Sequence, residues 1–263
     1  MGRVYTFVNQ KGGVGKTTSA INLGAYLGYF GQRVLLIDID PQANATSCLG
    51  IDKKTVKNGT YEVLIGTSQI LAHILHNPRL KISLLPSSPS LAGAEIELVD
   101  MDRRENRLND VLSSVIDRYD YILIDCPPSL SLLTVNGLVA ARHGIIIPVQ
   151  CEYLALEGLG QLIQTLTRIR TAFSSELAVR GVLMTMFDGR TKLSSDVVSE
   201  VHRFFPDQVF KTLIPRSIRL AEAPSYGLPI SLYAPESVGA KAYASLAREI
   251  LAADGVTVPA LQE

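Results

Sequence analysis

Residues 9–18 read Asn9-Gln10-Lys11-Gly12-Gly13-Val14-Gly15-Lys16-Thr17-Thr18, and the rest of the chain is best understood outward from them. An apolar β-type run at 4–8 leads into this stretch, and an amphipathic helical pattern over 17–29 leaves it. A strand that breaks into glycines and turns at once into a helix is what a phosphate cradle requires. Glycines let backbone N–H groups converge on an anion without Cβ clashes, and the helix N-terminus adds partial positive charge. Residues Lys11, Gly12, Gly13, Val14, Gly15, Lys16, Thr17 and Thr18 are therefore the candidate nucleotide loop. Lys16 would bridge β- and γ-phosphate oxygens, and the Thr17 hydroxyl would ligate Mg²⁺. The plainer alternative, a glycine-rich turn with two solvated lysines, needs the strand, loop, helix and second lysine to coincide by chance.

Beyond the loop, apolar runs at 34–39, 82–85, 121–125, 144–149, 179–186 and 209–214 alternate with helical patterns at 104–118, 130–141, 156–173, 194–204 and 237–251. Strands that are apolar nearly throughout are covered on both faces, as in a parallel sheet wrapped by crossover helices. The alternation predicts a doubly wound α/β fold, mostly parallel, with helices on both faces. In the last helix, Ala240, Tyr243, Ala244, Ala247 and Leu251 recur at helical spacing and predict a core face. Residues 1–254 read as one domain and 255–263 as a short, frayed tail.

Two further acidic motifs fall where such a sheet takes its ligands. In Ile37-Asp38-Ile39-Asp40-Pro41-Gln42 the alternation of a strand sends Asp38 and Asp40 to the same side at its C-terminal end. Two carboxylates beside a triphosphate are costly unless Mg²⁺ or a lysine compensates them. Otherwise both would merely cap the following turn. The run Tyr121-Ile122-Leu123-Ile124-Asp125 ends an apolar strand on an acid, the arrangement that holds a Mg²⁺-bound water, so Asp125 is a candidate metal residue.

Composition narrows the partners. Across 263 residues, 47% hydrophobic and 19% charged content argues against disorder. Formal net charge is +0, so no overall field draws in nucleic acid or an acidic membrane, and any DNA contact must come from a local patch. Cys48, Cys126 and Cys151 are scattered without CxxC spacing and read as reduced, mostly buried thiols. No signal-peptide pattern opens the chain and no apolar run reaches the roughly 18 residues of a membrane span, so a cytoplasmic location is expected.

The loop departs from the ordinary GxxxxGK[ST] pattern, because Gln10 stands where its first glycine would be. It matches KGGxGK[ST] instead and so resembles the deviant Walker A family, which includes ParA/Soj, MinD and the nitrogenase iron protein. The likeness to ParA/Soj extends over nearly the whole chain. It covers residues 40–46, the Asp125-Cys126-Pro127-Pro128-Ser129 run, and 152–159. It resumes at Phe187-Asp188-Gly189-Arg190-Thr191 and again at 214–225. Ala43 stands where that family commonly has glycine.

The resemblance implies a partitioning ATPase, for chromosome or plasmid, that uses ATP and Mg²⁺. It implies an ATP-dependent homodimer in which Lys11 reaches the partner's phosphates, Asp40 lies beside the attacking water and Asp38 near the metal or its waters. Pro215 would lie against the adenine. The ATP-bound dimer would bind double-stranded DNA without regard to sequence through Arg190 and Arg219, with Lys192, Arg203, Lys211 and Arg216 extending the patch. A ParB-like centromere-binding partner would trigger hydrolysis, giving a nucleoid-associated protein without a membrane role. A MinD-like membrane-surface ATPase would need a basic amphipathic C-terminal helix, which 254–263 does not show. A metabolic or redox enzyme of the same fold, amide-forming or iron–sulfur-bearing, and a scaffold without turnover are the remaining alternatives.

Overall fold

The apolar runs at 34–38 and 121–125 are buried at every residue, because helices cover both faces of the sheet they form. The computed structural model describes residues 2–153, 155–173 and 177–257. Its strands are β1 (Arg3–Phe7), β2 (Val34–Asp38), β3 (Leu75–Asn77), β4 (Ile82–Leu85), β5 (Tyr121–Asp125), β6 (Ile145–Gln150) and β7 (Val179–Thr185). They form one sheet in the order β3-β4-β2-β5-β1-β6-β7, parallel throughout except for the β3–β4 pair at the edge.

Side-chain alternation along the strands divides the core. Leu36 of β2 and Tyr121 and Leu123 of β5 face the helices Lys16–Tyr29 and Val238–Ala253, where Leu23, Leu27, Tyr243, Leu246 and Ile250 cover them. Leu35 and Ile37, with Ile122 and Ile124, face the other layer, filled by Leu64, Leu91, Leu108, Leu112 and Leu133. The first helix lies very close to the sheet: a Cβ on Gly28 would stand 2.2 Å from the Lys81 carbonyl oxygen.

Register assembles the site. Asp38 of β2 lies directly beside Asp125 of β5, and Phe7 of β1 beside Asp125 on the other flank. The loop after β1 and both acidic motifs thus meet at the carboxyl edge of three adjacent strands, where open α/β sheets take ligands.

Two expectations are corrected. Residues 209–214 form no strand: Val209 makes an isolated bridge with Val182, and the next bridge, Phe187–Pro215, falls just beyond the segment. Between them the backbone N–H groups of Lys211 and Thr212 donate to the Glu249 carboxylate at 2.7 and 3.0 Å, which takes them out of any ladder. The helix expected over 104–118 shrinks to Arg107–Leu112 and a separate single turn at Ile116–Arg118. Val115 leaves the helical region at φ −126, and both it and Ile116 are buried. The edge strand β3 and the short helices Asn44–Cys48, Thr60–Ile65, Leu91–Glu97, Ile218–Glu222 and Ile230–Tyr233 carried no clear sequence signal.

The last helix is anchored by the residue that follows it. The hydroxyls of Tyr5 and Tyr121 donate to the Asp254 carboxylate, and Arg3 and Arg180 pair with it. Of the expected tail, 258–263 lies outside the described residues.

Candidate functional site

The loop is built to present donors. Gly13 and Gly15 take left-handed backbone, φ 76 and 88, which glycine adopts without strain. A Cβ on Gly12 or Gly13 would meet no atom within 4 Å, so the space beside both glycines is open. Asn9 ties the loop to β6 by donating to the Pro148 carbonyl at 2.8 Å while its own carbonyl accepts from the Lys11 N–H at 3.0 Å. From β7, the Thr185 hydroxyl donates to the Val14 carbonyl at 2.8 Å. The following helix starts at Gly15 with no side-chain cap, leaving its first N–H groups to serve a ligand.

Lys16 is 7% exposed, and its ammonium donates to the Lys11 carbonyl at 3.1 Å. Burial pulls its pKa down; the nearby Asp125, Cys126 and Asp40 oppose that shift. The Lys11 ammonium is turned back onto Glu152 of its own chain.

The three candidate carboxylates differ sharply in how they are satisfied. One Asp38 oxygen accepts from the Thr46 N–H at 2.8 Å and the Thr46 hydroxyl at 2.7 Å; the other accepts from the Asp40 N–H at 3.1 Å. Burial pushes its carboxyl up to about 6 despite these bonds. Asp40 Oδ1 accepts from the Gln42 N–H at 2.8 Å, and the Ser87 hydroxyl donates to the Asp40 carbonyl at 2.7 Å. Its pKa is raised, again mainly by burial. Both aspartates therefore do brace the turn, as the plainer alternative held, and Asp40 Oδ2 remains uncommitted to any donor in the described residues.

Asp125 is the exception: both of its oxygens are buried and neither has a hydrogen-bond partner among the described residues. Burial, then the charge of Asp38, raises its carboxyl well above the ordinary range, and the neighbouring Thr17 side chain only partly offsets this. Asp40 and Asp125 thus share the buried ammonium of Lys16, while Asp38 adds its charge beside Asp125. An oxygen-lined, charge-deficient site of this kind fits Mg²⁺, with Thr17 and Asp125 as the groups able to hold it or its waters. Asp38, whose oxygens are already engaged, is better suited to orienting that shell than to joining it. The Cys126 thiol next to Asp125 is pushed well up by burial, which leaves it unreactive.

A cavity of about 280 Å³ opens beside the loop, lined by Gly15, Thr18, Thr185, Met186, Pro215 and Tyr243 among others. Its apolar wall and position suit a nucleobase, and Pro215 is one of the residues that line it. Arg190, Lys192, Arg216 and Arg219 are all exposed. The Phe187–Pro215 bridge, with the Arg216 N–H donating to the Phe187 carbonyl at 3.0 Å, sets the segments bearing Arg190 and Arg216 side by side. Arg219 follows on the helix Ile218–Glu222.

A family model described as an AAA domain matches residues 2–179. The chain is 51% identical, over 252 residues, to the sporulation initiation inhibitor protein Soj of Bacillus subtilis, covering 96% of this chain and 99% of that one. It is 51% identical to the chromosome-partitioning ATPase Soj of Treponema pallidum over 255 residues, 97% and 99% of the two chains. The chain belongs to the Soj/ParA family of chromosome-partitioning ATPases. Solved structures agree on the fold. A Mycobacterium smegmatis protein described as cobyrinic acid a,c-diamide synthase, with bound ADP and magnesium, superposes with TM-score 0.85 at 36% identity, covering 100% of both chains. The septum site-determining protein MinD of Pyrococcus horikoshii, complexed with Mg-ADP, gives 0.78 at 28% identity, covering 97% and 98%.

Motif reading located the loop and acidic residues of this Soj/ParA chain but missed their supports. Thr46 and Ser87 position Asp38 and Asp40 from separate segments, and Thr185, Met186 and Tyr243 wall the cavity. Ala43, the departure from the family's glycine, sits at φ 51, so the position demands left-handed backbone whichever residue fills it.

Proposed function

We propose that this Soj/ParA ATPase hydrolyses ATP to ADP and phosphate at residues 11–18, that ATP closes two subunits into a sandwich, and that the closed dimer holds double-stranded DNA without sequence preference. A ParB-like centromere-binding partner then stimulates hydrolysis and releases the DNA. The observation that carries the reading is the pair of Asp125 oxygens, buried and without a hydrogen-bond partner among the described residues, next to Lys16 and Thr17 of the glycine loop. Desolvated charge of that kind is retained where a ligand completes the site.

The loop amides and the uncapped helix start bind the phosphate oxygens, and Lys16 neutralises the charge that grows on them as the bond breaks. Mg²⁺, which Thr17 and Asp125 would hold directly or through its waters, would supply the remaining charge compensation for the phosphates. Asp40 Oδ2, uncommitted to any donor among the described residues, orients the attacking water and takes its proton as the water oxygen bonds to the γ-phosphorus and the bond to the β-phosphate oxygen breaks. Thr46 holds Asp38, and Ser87 holds the Asp40 main chain, so the acidic turn keeps its shape through the reaction. Lys11 leaves Glu152 and crosses to the partner's phosphates, which makes the closed state depend on the triphosphate. Pro215 bounds the base, and Arg190, Arg219, Lys192 and Arg216 meet DNA phosphates, doubled in number by dimerisation. Identity favours partitioning over an amide-forming role, at 51% to the Soj proteins against 36% to the mycobacterial synthase.

The test is duplex-DNA binding at low salt with ATP, ADP or no nucleotide, repeated across a salt series. Binding with ATP alone, weakening steeply as salt rises, is expected. Equal binding in all three states would contradict the proposal.

A further inference from the structure

Two arginines of the candidate DNA patch, Arg190 and Arg219, are already occupied by the chain's own carboxylates. Arg190 Nε and Nη2 donate to the two Asp188 oxygens at 2.8 and 2.7 Å, the fork geometry with which guanidinium grips a phosphate. Arg219 Nη1 donates to Glu222 Oε2 at 3.0 Å. Neither carboxylate is free to swing away. Asp188 Oδ1 also accepts from the Arg190 backbone N–H at 3.1 Å, and its side chain is 21% exposed against 88% for Arg190. Glu222 Oε2 also accepts from the Tyr233 hydroxyl at 3.0 Å, and the Tyr233 ring is stacked on Tyr226 at 4.8 Å. The Arg190 guanidinium pulls the Asp188 carboxyl down to about 2, so it stays charged at any pH where the protein is folded and active.

We propose that Asp188 and Glu222 act as built-in phosphate mimics that neutralise Arg190 and Arg219 within one subunit and hold down its affinity for DNA. The idea rests on the DNA-binding reading above and adds a regulatory layer to it. An approaching phosphate must draw each arginine off an anchored carboxylate and then lie beside that negative charge. One subunit therefore gains little from the exchange. Two subunits locked together by ATP sum the small gains over a doubled patch, so masking sharpens the contrast between ATP-bound and ATP-free protein.

The test uses Asp188→Asn, Glu222→Gln and the double variant of the full chain. Both replacements keep an oxygen acceptor for the Arg190 N–H or the Tyr233 hydroxyl, and circular dichroism melts check folding. Affinity for a fluorescein-labelled mixed-sequence duplex is measured by anisotropy with ATP and with ADP over a salt series, alongside Arg219→Glu. In the ATP state the double variant is expected to bind about tenfold more tightly, the product of two exposed pairs of ordinary strength. The slope of log K against log salt should steepen by up to about 0.9 for each arginine set free. Detectable binding should also emerge with ADP. Parental affinity and slope in the double variant, with binding lost in Arg219→Glu, would overturn the masking and leave the DNA site standing. Weaker binding in the double variant would also overturn it, because the carboxylates would then be aiming the arginines. Parental binding in Arg219→Glu would remove the DNA reading itself and the masking with it.

Discussion

Asp125→Asn should make the nucleotide-free protein more stable at neutral pH while abolishing its response to magnesium and ATP. Both Asp125 oxygens are buried without a hydrogen-bond partner among the described residues, and burial plus the neighbouring Asp38 raise its carboxyl well above the ordinary 3.8. A carboxyl with a raised folded-state pKa binds its proton more tightly in the folded chain than in the unfolded one. Its penalty is absent below the unfolded pKa, grows as pH rises, and levels off once pH passes the folded pKa. Each pH unit in that window shifts the balance by up to about 1.4 kcal/mol in favour of the variant. The asparagine amide is itself unpaired, an offset of about 1–3 kcal/mol that does not vary with pH. The slope is therefore the diagnostic quantity. Urea unfolding of both proteins in EDTA, at steps from about pH 5 to pH 8, should show a stability difference that shifts toward the variant as pH rises, until the folded-state pKa is passed. Added Mg²⁺ and ATP should then raise the midpoint of the parent only. A pH-independent difference, or equal stabilisation of the two proteins by Mg²⁺ and ATP, would refute the reasoning.

Three other substitutions probe the same site and its surroundings. Asp40→Ala should lower ATP turnover by about 10²–10⁴-fold, the usual loss with a general base, while ATP-dependent DNA binding persists; turnover at the parental rate would reject the assignment. Thr46→Val removes the hydroxyl that donates to Asp38 at 2.7 Å and accepts from the Ser87 N–H at 2.9 Å, both buried. It should cost about 1–3 kcal/mol and slow turnover, with both restored by Thr46→Ser. Stability in urea and steady-state kinetics check this, and a valine variant indistinguishable from the parent would count against it. Arg219→Glu should abolish ATP-dependent gel shifts of DNA and spare nucleotide binding by filter assay; unchanged shifts would take Arg219 out of the patch.

The features legible in the sequence are those whose cause is local. The strands at 4–8, 34–39 and 121–125 stand out because burial on both faces demands unbroken apolar runs, and the loop because its glycines and lysines lie within a few residues. Register then followed without being readable: nothing in the composition of β2 or β5 says that Asp38 and Asp125 will be neighbours. The division of labour between those two acids was hidden for the same reason, since it depends on Thr46 reaching back to Asp38 while the Asp125 oxygens have no such hydrogen bond among the described residues. The apolar run at 209–214 looked like a strand because its partner in hydrogen bonding, Glu249, arrives from a helix far along the chain. The cavity wall was invisible in kind, because Tyr243 or Met186 beside a base looks no different in sequence from the same residue in a core. The intramolecular partners of Arg190 and Arg219 were within three residues of them, yet only the structure shows the carboxylates facing the guanidinium groups.

The central claim is that the terminal phosphate held by the loop decides whether two subunits stay together. The mass of the Asp40→Ala protein in solution, by light scattering with Mg²⁺ and either ATP or ADP, tests it most directly. A dimer with ATP and a monomer with ADP are expected. A monomer in both, at concentrations where ATP is bound, would contradict it.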